Sequence, residues 1–129
     1  MSDSYIPKGY EKTEEHFDPA PTQDHVDYCK YFYNNSDLFK NNEDYETVSE
    51  SDVDIVRCYF ENFAGYMNAG GRLGEYDFDD SCVSEGDYVH IYTKEGEKIG
   101  TGEYNKYDHY TVYFFDTDSN VLYYIHANI

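Results

Sequence analysis

The chain is poor in basic residues and contains no tryptophan, few prolines and few cysteines. Its 129 residues include 9 Lys and Arg, 3 Pro and 3 Cys. The cysteines are widely spaced and form no C-x-x-C pair, which argues against a disulfide framework or a zinc knuckle and favours buried structural thiols. No apolar run approaches the ~18 residues that span a membrane, and the N-terminus lacks the layout of a secretory signal. We therefore expect a cytoplasmic protein without membrane contact.

The sequence also lacks the local motifs of the common enzyme classes. It contains no G-x-S-x-G elbow, no H-E-x-x-H helix, no P-loop and no Rossmann glycine pattern. The one glycine cluster, around Gly70 and Gly71, follows a predicted helix where a phosphate loop would precede one, so it indicates a helix stop. We expect no enzymatic activity, no cofactor and no bound metal.

Acidic and aromatic residues are abundant instead. The chain carries 27 Asp and Glu and a formal net charge of −18, and each successive quarter of it is negative. Such a surface repels phosphate and attracts basic proteins. Aromatic residues make up 19% of the chain, including 17 Tyr, which is too much packing material for a disordered acidic tail. The sequence therefore predicts a folded acidic domain.

The N-terminal region is predicted to be an extended arm followed by a short helix. Residues 1–21 lack hydrophobic periodicity and end in a proline-rich step, so we place an arm there and a single acidic α+β domain over residues 22–129. Apolar side chains at helical spacing, such as Val26 and Cys29, predict a helix over about residues 23–34.

The strongest helical pattern covers about residues 52–69. Apolar side chains recur there at three- and four-residue steps and share one face. Ser51 and Asp54 have the spacing of a capping box at the N-terminal end. Gly70 and Gly71 provide the C-terminal stop.

The C-terminal region is predicted to be a sheet. Period-two patterns indicate strands over residues 88–93, 99–104, 110–115 and 121–126. Their short connections require antiparallel neighbours. The predicted fold is α+β, with two N-terminal helices packed on a four-stranded antiparallel meander that either stays open or curls into a small SH3-like barrel.

Two patterns offer alternatives with a metal. His90 and His126 fall within predicted strands and could approach each other in a sheet. Residues 116–120 begin like a calcium loop, but Val121 stands where that loop needs glycine. We interpret both patterns as structural, the first as cross-strand packing and the second as a hairpin turn.

Acids that neighbour tyrosines or lie on the exposed side of the predicted helix form the predicted partner-binding site. Carboxylates combined with aromatic rings suit Lys- and Arg-rich surfaces, through ion pairs and cation–π contacts. The candidate residues are Glu43, Asp44, Glu46, Asp52, Asp54, Glu61, Glu75, Asp77, Asp79, Asp80 and Glu85.

The charge density of the chain is close to that of duplex DNA. A compact domain of this length is about 36 Å across, and a duplex carries about 21 charges over that span, against a net −18 here. In composition the chain resembles the small acidic proteins that phages and mobile elements use against restriction or CRISPR nucleases. We therefore expect an anti-CRISPR or anti-restriction type of inhibitor, a DNA mimic that blocks the nucleic-acid-binding surface of a nuclease, CRISPR effector or other basic protein. It would not contact nucleic acid itself, it would act as a monomer or a homodimer, and it would lie in the host cytoplasm if a phage encodes it.

Two other functions are compatible with the sequence. Gly86-Asp87-Tyr88-Val89 and the following strands resemble SH3-like and Tudor-like barrels in layout, which implies a module that binds basic or methylated peptides. The acidity could also serve solubility in high salt.

Overall fold

The computed structural model describes residues 5–18, 25–93 and 109–128. These residues form a six-stranded antiparallel sheet with one long helix packed across one face. The helix is α1, Val53–Ala69. The strands are β1, Lys12–His16; β2, His25–Phe32; β3, Glu46–Thr47; β4, Tyr88–Thr93; β5, His109–Asp116; and β6, Val121–Asn128. Their order across the sheet is β1-β2-β6-β5-β4-β3.

The predicted helix over residues 23–34 is wrong, because residues 25–32 form strand β2. Val26 and Tyr28 belong to the core beneath α1, whereas Cys29 and Tyr31 belong to a second core on the opposite face of the sheet. A strand buried on both faces loses the polar–apolar alternation that marks a one-sided strand, and its apolar residues can then imitate a helical spacing.

The predicted four-stranded meander and the SH3-like barrel are also wrong. The sheet is open, with β1 and β3 at its two edges. Strand β4 pairs directly with β5, so no other strand lies between them. The predicted strand 99–104 falls outside the described residues. The other three predicted strands correspond to β4, β5 and β6.

Long-range pairing builds the rest of the sheet. Strand β2 pairs with β6 along its whole length, from His25 opposite Asn128 to Phe32 opposite Val121. Strand β1 then pairs with the other side of β2. The predicted N-terminal arm therefore includes an edge strand, whose charged side chains suit an exposed sheet edge.

Helix α1 confirms the predicted helix over residues 52–69, but its N-terminal cap lies two residues earlier than predicted. The carboxylate of Asp52 accepts hydrogen bonds from the backbone N–H of Ser49 (3.1 Å) and from its hydroxyl (2.7 Å). Asp54 is exposed and joins no cap. At the other end Gly71 has φ +72°, the left-handed conformation that glycine adopts easily. The N–H of Arg72 donates to the carbonyl of Met67, which closes a Schellman motif.

A hydrophobic core lies on each face of the sheet. Helix α1 buries Val56, Tyr59, Phe60, Phe63 and Met67 on the first face. On the second face Phe39 stacks on Phe115 with ring centroids 4.0 Å apart, and Ile6 and Tyr45 join the same core.

None of the described helices has the length and apolar character that crossing a membrane requires.

Candidate functional site

A groove with an aromatic lining lies between α1 and residues 76–80. Its volume is about 410 Å³, and its apolar part consists of Phe60, Ala64, Tyr76 and Phe78. The rings of Phe60 and Phe78 stack with centroids 3.9 Å apart. The hydroxyl of Tyr76 donates to the carbonyl of Phe60 (3.2 Å), so both walls are fixed to each other.

Three carboxylates complete the lining of this groove: Glu61, Asp79 and Asp80. Glu61 and Asp79 are exposed, and Asp80 is half-buried. Hydrogen bonds from Ser81, whose backbone N–H donates at 3.0 Å, lower the pKa of the Asp79 carboxyl. Glu61 and Asp80 take part in no ion pair within the described residues. The groove therefore combines an apolar lining with negative charge.

Arg57 holds the outer wall of the groove in place. Its Nε–H donates to the carbonyl oxygen of Asp80 (3.0 Å), and its Nη2 donates to those of Val83 (3.1 Å) and Ser81 (3.4 Å). The guanidinium thus donates to backbone carbonyls and, within the described residues, forms no ion pair with a groove carboxylate, although its charge contributes to the lowered pKa of Asp79.

Two further basic side chains bind the loops after α1 to the sheet. Arg72 donates to the carbonyls of Val26 (2.7 Å) and His16 (3.0 Å) and pairs with Glu75 (3.1 Å). Lys30 lies 2.7 Å from a carboxylate oxygen of Asp77. Glu75 and Asp77, both predicted partner-binding residues, therefore form intramolecular ion pairs.

Asp77 is held to the sheet by a second hydrogen bond. The buried hydroxyl of Tyr28 donates to its other carboxylate oxygen (2.7 Å). Burial raises the pKa of Asp77, but the hydrogen bonds from Lys30 and Tyr28 outweigh that effect and lower it overall. Asp77 therefore anchors residues 76–80 and keeps the neighbouring groove in shape.

The predicted partner-binding residues form two groups according to the elements that carry them, and the groups meet at the start of α1. The first, which we call the helix-side acids, lies on α1 and on the segment after it: Asp54, Glu61, Glu75, Asp77, Asp79 and Asp80. The second, which we call the β3-end acids, lies around β3: Glu43, Asp44, Glu46, Asp52 and Glu85.

Backbone contacts explain the β3-end group. The N–H of Gly86 donates to the carbonyl of Val48 (2.9 Å), which brings the turn that carries Glu85 beside β3. Glu43 and Asp44 are exposed and precede Tyr45, which packs on the second face of the sheet. Asp52 belongs to the cap of α1, so its carboxylate already has a structural role.

No protein-family model, curated protein or solved structure matches this chain.

The patterns weighed as metal sites have other roles in the structure. Strand β5 separates His90 from His126, since His90 lies opposite Tyr113 and His126 opposite Thr111. The predicted hairpin turn at residues 116–120 is confirmed: the carboxylate of Asp116 accepts hydrogen bonds inside the turn, from the N–H of Asp118 (3.1 Å) among others. Across the described ranges, no group of three or more His, Cys, Asp or Glu side chains is arranged to hold a metal ion.

The cysteines are free thiols within the packed domain. Cys29 is buried, and Cys58 and Cys82 are half-buried. Burial raises the pKa of both Cys29 and Cys82 to about 12. These two thiols are therefore protonated at neutral pH and are poor nucleophiles.

Sequence reasoning identified the acids of the groove and missed its apolar lining. The helical pattern places Phe60 and Ala64 on a helix without a surface role, and the pattern of residues 75–80 predicts aromatic contacts beside the acids but no groove. The signal was the alternation in residues 75–80, where aromatic residues occupy every second position between acids. In the structure Phe78 is buried while Asp77 and Asp79 are exposed, so aromatic and acidic side chains point in opposite directions.

Proposed function

We propose that this protein inhibits a basic nucleic-acid-binding protein, such as a nuclease or a CRISPR effector, by occupying its nucleic-acid-binding surface in the manner of DNA. The observation that carries the proposal is the use of the basic side chains. Lys30, Arg57 and Arg72, three of the chain's 9 basic residues, bind backbone carbonyls and the acids Asp77 and Glu75. Within the described residues, acids such as Asp54, Glu61 and Asp80 consequently take part in no ion pair.

The distribution of exposed acids supports the same proposal. Asp54 and Glu61 lie two helical turns apart on the outer side of α1, and both are exposed. Glu43, Asp44 and Glu85 extend the negative surface to the β3 end. A net charge of −18 is close to the about 21 phosphates of a duplex of similar length. A basic surface shaped to follow phosphates would be attracted to such a pattern.

The alternative of an SH3-like or Tudor-like peptide module loses its structural basis. Such modules were inferred from a barrel, whereas the sheet of this protein is open, with β1 and β3 at separate edges. The described geometry therefore favours recognition by the acidic exterior over recognition inside a barrel.

The proposal can be tested with two variants of equal charge. One neutralises helix-side acids by Asp54→Asn, Glu61→Gln and Asp80→Asn. The other neutralises β3-end acids by Glu43→Gln, Asp44→Asn and Glu85→Gln. Immobilised wild-type protein and both variants are used to capture proteins from a cell lysate at low salt, and the retained proteins are challenged with duplex DNA and with increasing salt.

The expected result is retention of a nucleic-acid-binding protein that duplex DNA displaces and that at least one variant retains less well. The captured protein is then purified, and displacement of a labelled duplex from it is followed by fluorescence anisotropy. If the purified partner binds the labelled duplex and this protein simultaneously, without loss of affinity for either, mimicry is wrong. If both variants retain every captured protein as well as wild type does, the acidic surface is not the binding surface.

A further inference from the structure

The groove between α1 and residues 76–80 has the form of a preorganised receptor for one long side chain. Its volume of about 410 Å³ lies toward the lower end of the range found for ligand clefts. The Phe60–Phe78 stack, the Tyr76 hydrogen bond and the Arg57 contacts fix both walls. A fixed groove loses little conformational entropy when it is filled, which favours binding.

The lining calls for an occupant that is apolar along its length and cationic at its tip. Ala64, Tyr76 and Phe78 provide apolar and aromatic contact, whereas Glu61 and Asp80 provide negative charge without ion-pair partners among the described residues. Lysine and arginine both have an apolar stem and a charged head. An anionic ligand such as a phosphate would be repelled by the same carboxylates.

The planar shape of guanidinium favours arginine over lysine. Guanidinium stacks on an aromatic ring and offers paired donors to carboxylates, whereas an ammonium is a compact and strongly hydrated point charge. Half-buried Tyr76 lines the groove together with the carboxylates of Glu61 and Asp80, whereas Phe78 is buried and stacked on Phe60. The combination of ring and carboxylate thus matches both recognition properties of arginine.

We propose that this groove binds an arginine side chain on the surface of the partner, one that otherwise contacts a nucleic-acid phosphate. This inference rests on the proposed function, because the partner is the basic protein inferred above. It adds a specific contact with the partner beside the helix-side acids and gives the aromatic residues that line the groove a role in recognition.

The test uses a short peptide whose only charged side chain is one arginine, and a second peptide of the same sequence with lysine in its place. Binding to the ¹⁵N-labelled full chain is followed by amide chemical-shift changes. The arginine peptide is expected to shift the signals of Glu61, Ala64 and Asp79 and to bind severalfold more tightly than the lysine peptide.

Three variants locate the binding. Glu61→Gln with Asp80→Asn is expected to weaken the arginine peptide about tenfold, because two charge-assisted contacts are removed. The matched control, Glu43→Gln with Asp44→Asn, has the same charge change at the β3 end and is expected to stay within about twofold of wild type, since remote charges are screened. Ala64→Leu keeps every charge and fills the groove, so it is expected to abolish the shifts.

The outcomes separate this inference from the proposed function. Circular dichroism and thermal unfolding check that each variant is folded. Equal weakening by the two charge pairs, full binding to Ala64→Leu, or equal affinity for the lysine peptide would each overturn the arginine site. A captured basic partner that binds Ala64→Leu as well as wild type would overturn the groove alone, whereas arginine-peptide binding without any nucleic-acid-binding partner would overturn the proposed function alone.

Discussion

Replacing Arg57 with methionine should destabilise the protein by releasing residues 80–83 from α1. Methionine keeps an unbranched apolar stem but removes all donors to the three carbonyls. A well-made hydrogen bond from a charged donor contributes about 1.5–3 kcal/mol. The contacts at 3.0 and 3.1 Å are well made, and the contact at 3.4 Å is long.

The expected loss follows from those contacts and from the exposure of the site. Arg57 is half-buried, so water replaces part of what the carbonyls lose. We therefore expect a loss of about 2–3 kcal/mol, a large part of the about 5–15 kcal/mol that stabilises a typical domain. Such a loss lowers the urea midpoint by about 1 M. Arg57→Lys retains the charge without the forked donors and should fall between wild type and Arg57→Met.

Lys40→Met is the matched control, because Lys40 is exposed and its loss makes the same change in net charge. Urea unfolding is followed by circular dichroism at fixed salt. If Arg57→Met and Lys40→Met lower the midpoint equally, the effect of Arg57 is one of net charge. An unchanged midpoint for Arg57→Met would show that the bonds to residues 80–83 contribute nothing to stability.

Three further changes have definite expected outcomes. Phe60→Ala should lower the free energy of unfolding by about 3–5 kcal/mol, because Phe60 is 1% exposed and stacked on Phe78. A loss of stability no larger than that of an exposed substitution would show that Phe60 is not packed in the core. Gly71→Ala should cost about 1 kcal/mol through its positive φ alone, since an added Cβ meets no atom within 4 Å; chemical denaturation against Gly74→Ala, where φ is not positive, checks this. Folding lowers the pKa of Asp77 from its ordinary value of 3.8, so the stability that the ionised carboxylate contributes is present above about pH 4 and is lost as pH falls through the folded pKa. Asp77→Asn should therefore lose less stability than wild type over that pH range in acid unfolding, and an identical acid transition would contradict this.

Local patterns predicted helix α1 and the strands β4, β5 and β6. Helix α1 has one buried face and one exposed face, so its periodicity identified it, and the glycine pair marked its end. Strand β2 is buried on both faces, and its apolar residues imitate a helical spacing. The pairing of β2 with β6 joins segments far apart in the chain, which local patterns cannot show.

The candidate site was predictable in its charges and not in its shape. The sequence shows where the acidic residues are, but only the tertiary structure shows which carboxylates form ion pairs within the protein and which can bind a partner. Glu75 and Asp77 resemble Asp79 and Asp80 in sequence, yet the first two are paired with Arg72 and Lys30. The groove needs α1 and residues 76–80 side by side, an arrangement that depends on Arg57 and on the Phe60–Phe78 stack.

Lys30, Arg57 and Arg72 bind groups of their own chain, and these contacts link stability to the proposed function. Arg57 binds carbonyls and Arg72 binds both carbonyls and Glu75, and these contacts anchor the loops after α1 while removing cations from the exposed surface. A chain with the same composition but with these cations beside Asp54, Glu61 and Asp80 would have the same net charge and a weaker local field at those three acids. The acidic character that a basic partner meets is therefore a property of the fold as well as of the composition. Substitutions that free a buried cation should act on binding even where they leave net charge unchanged.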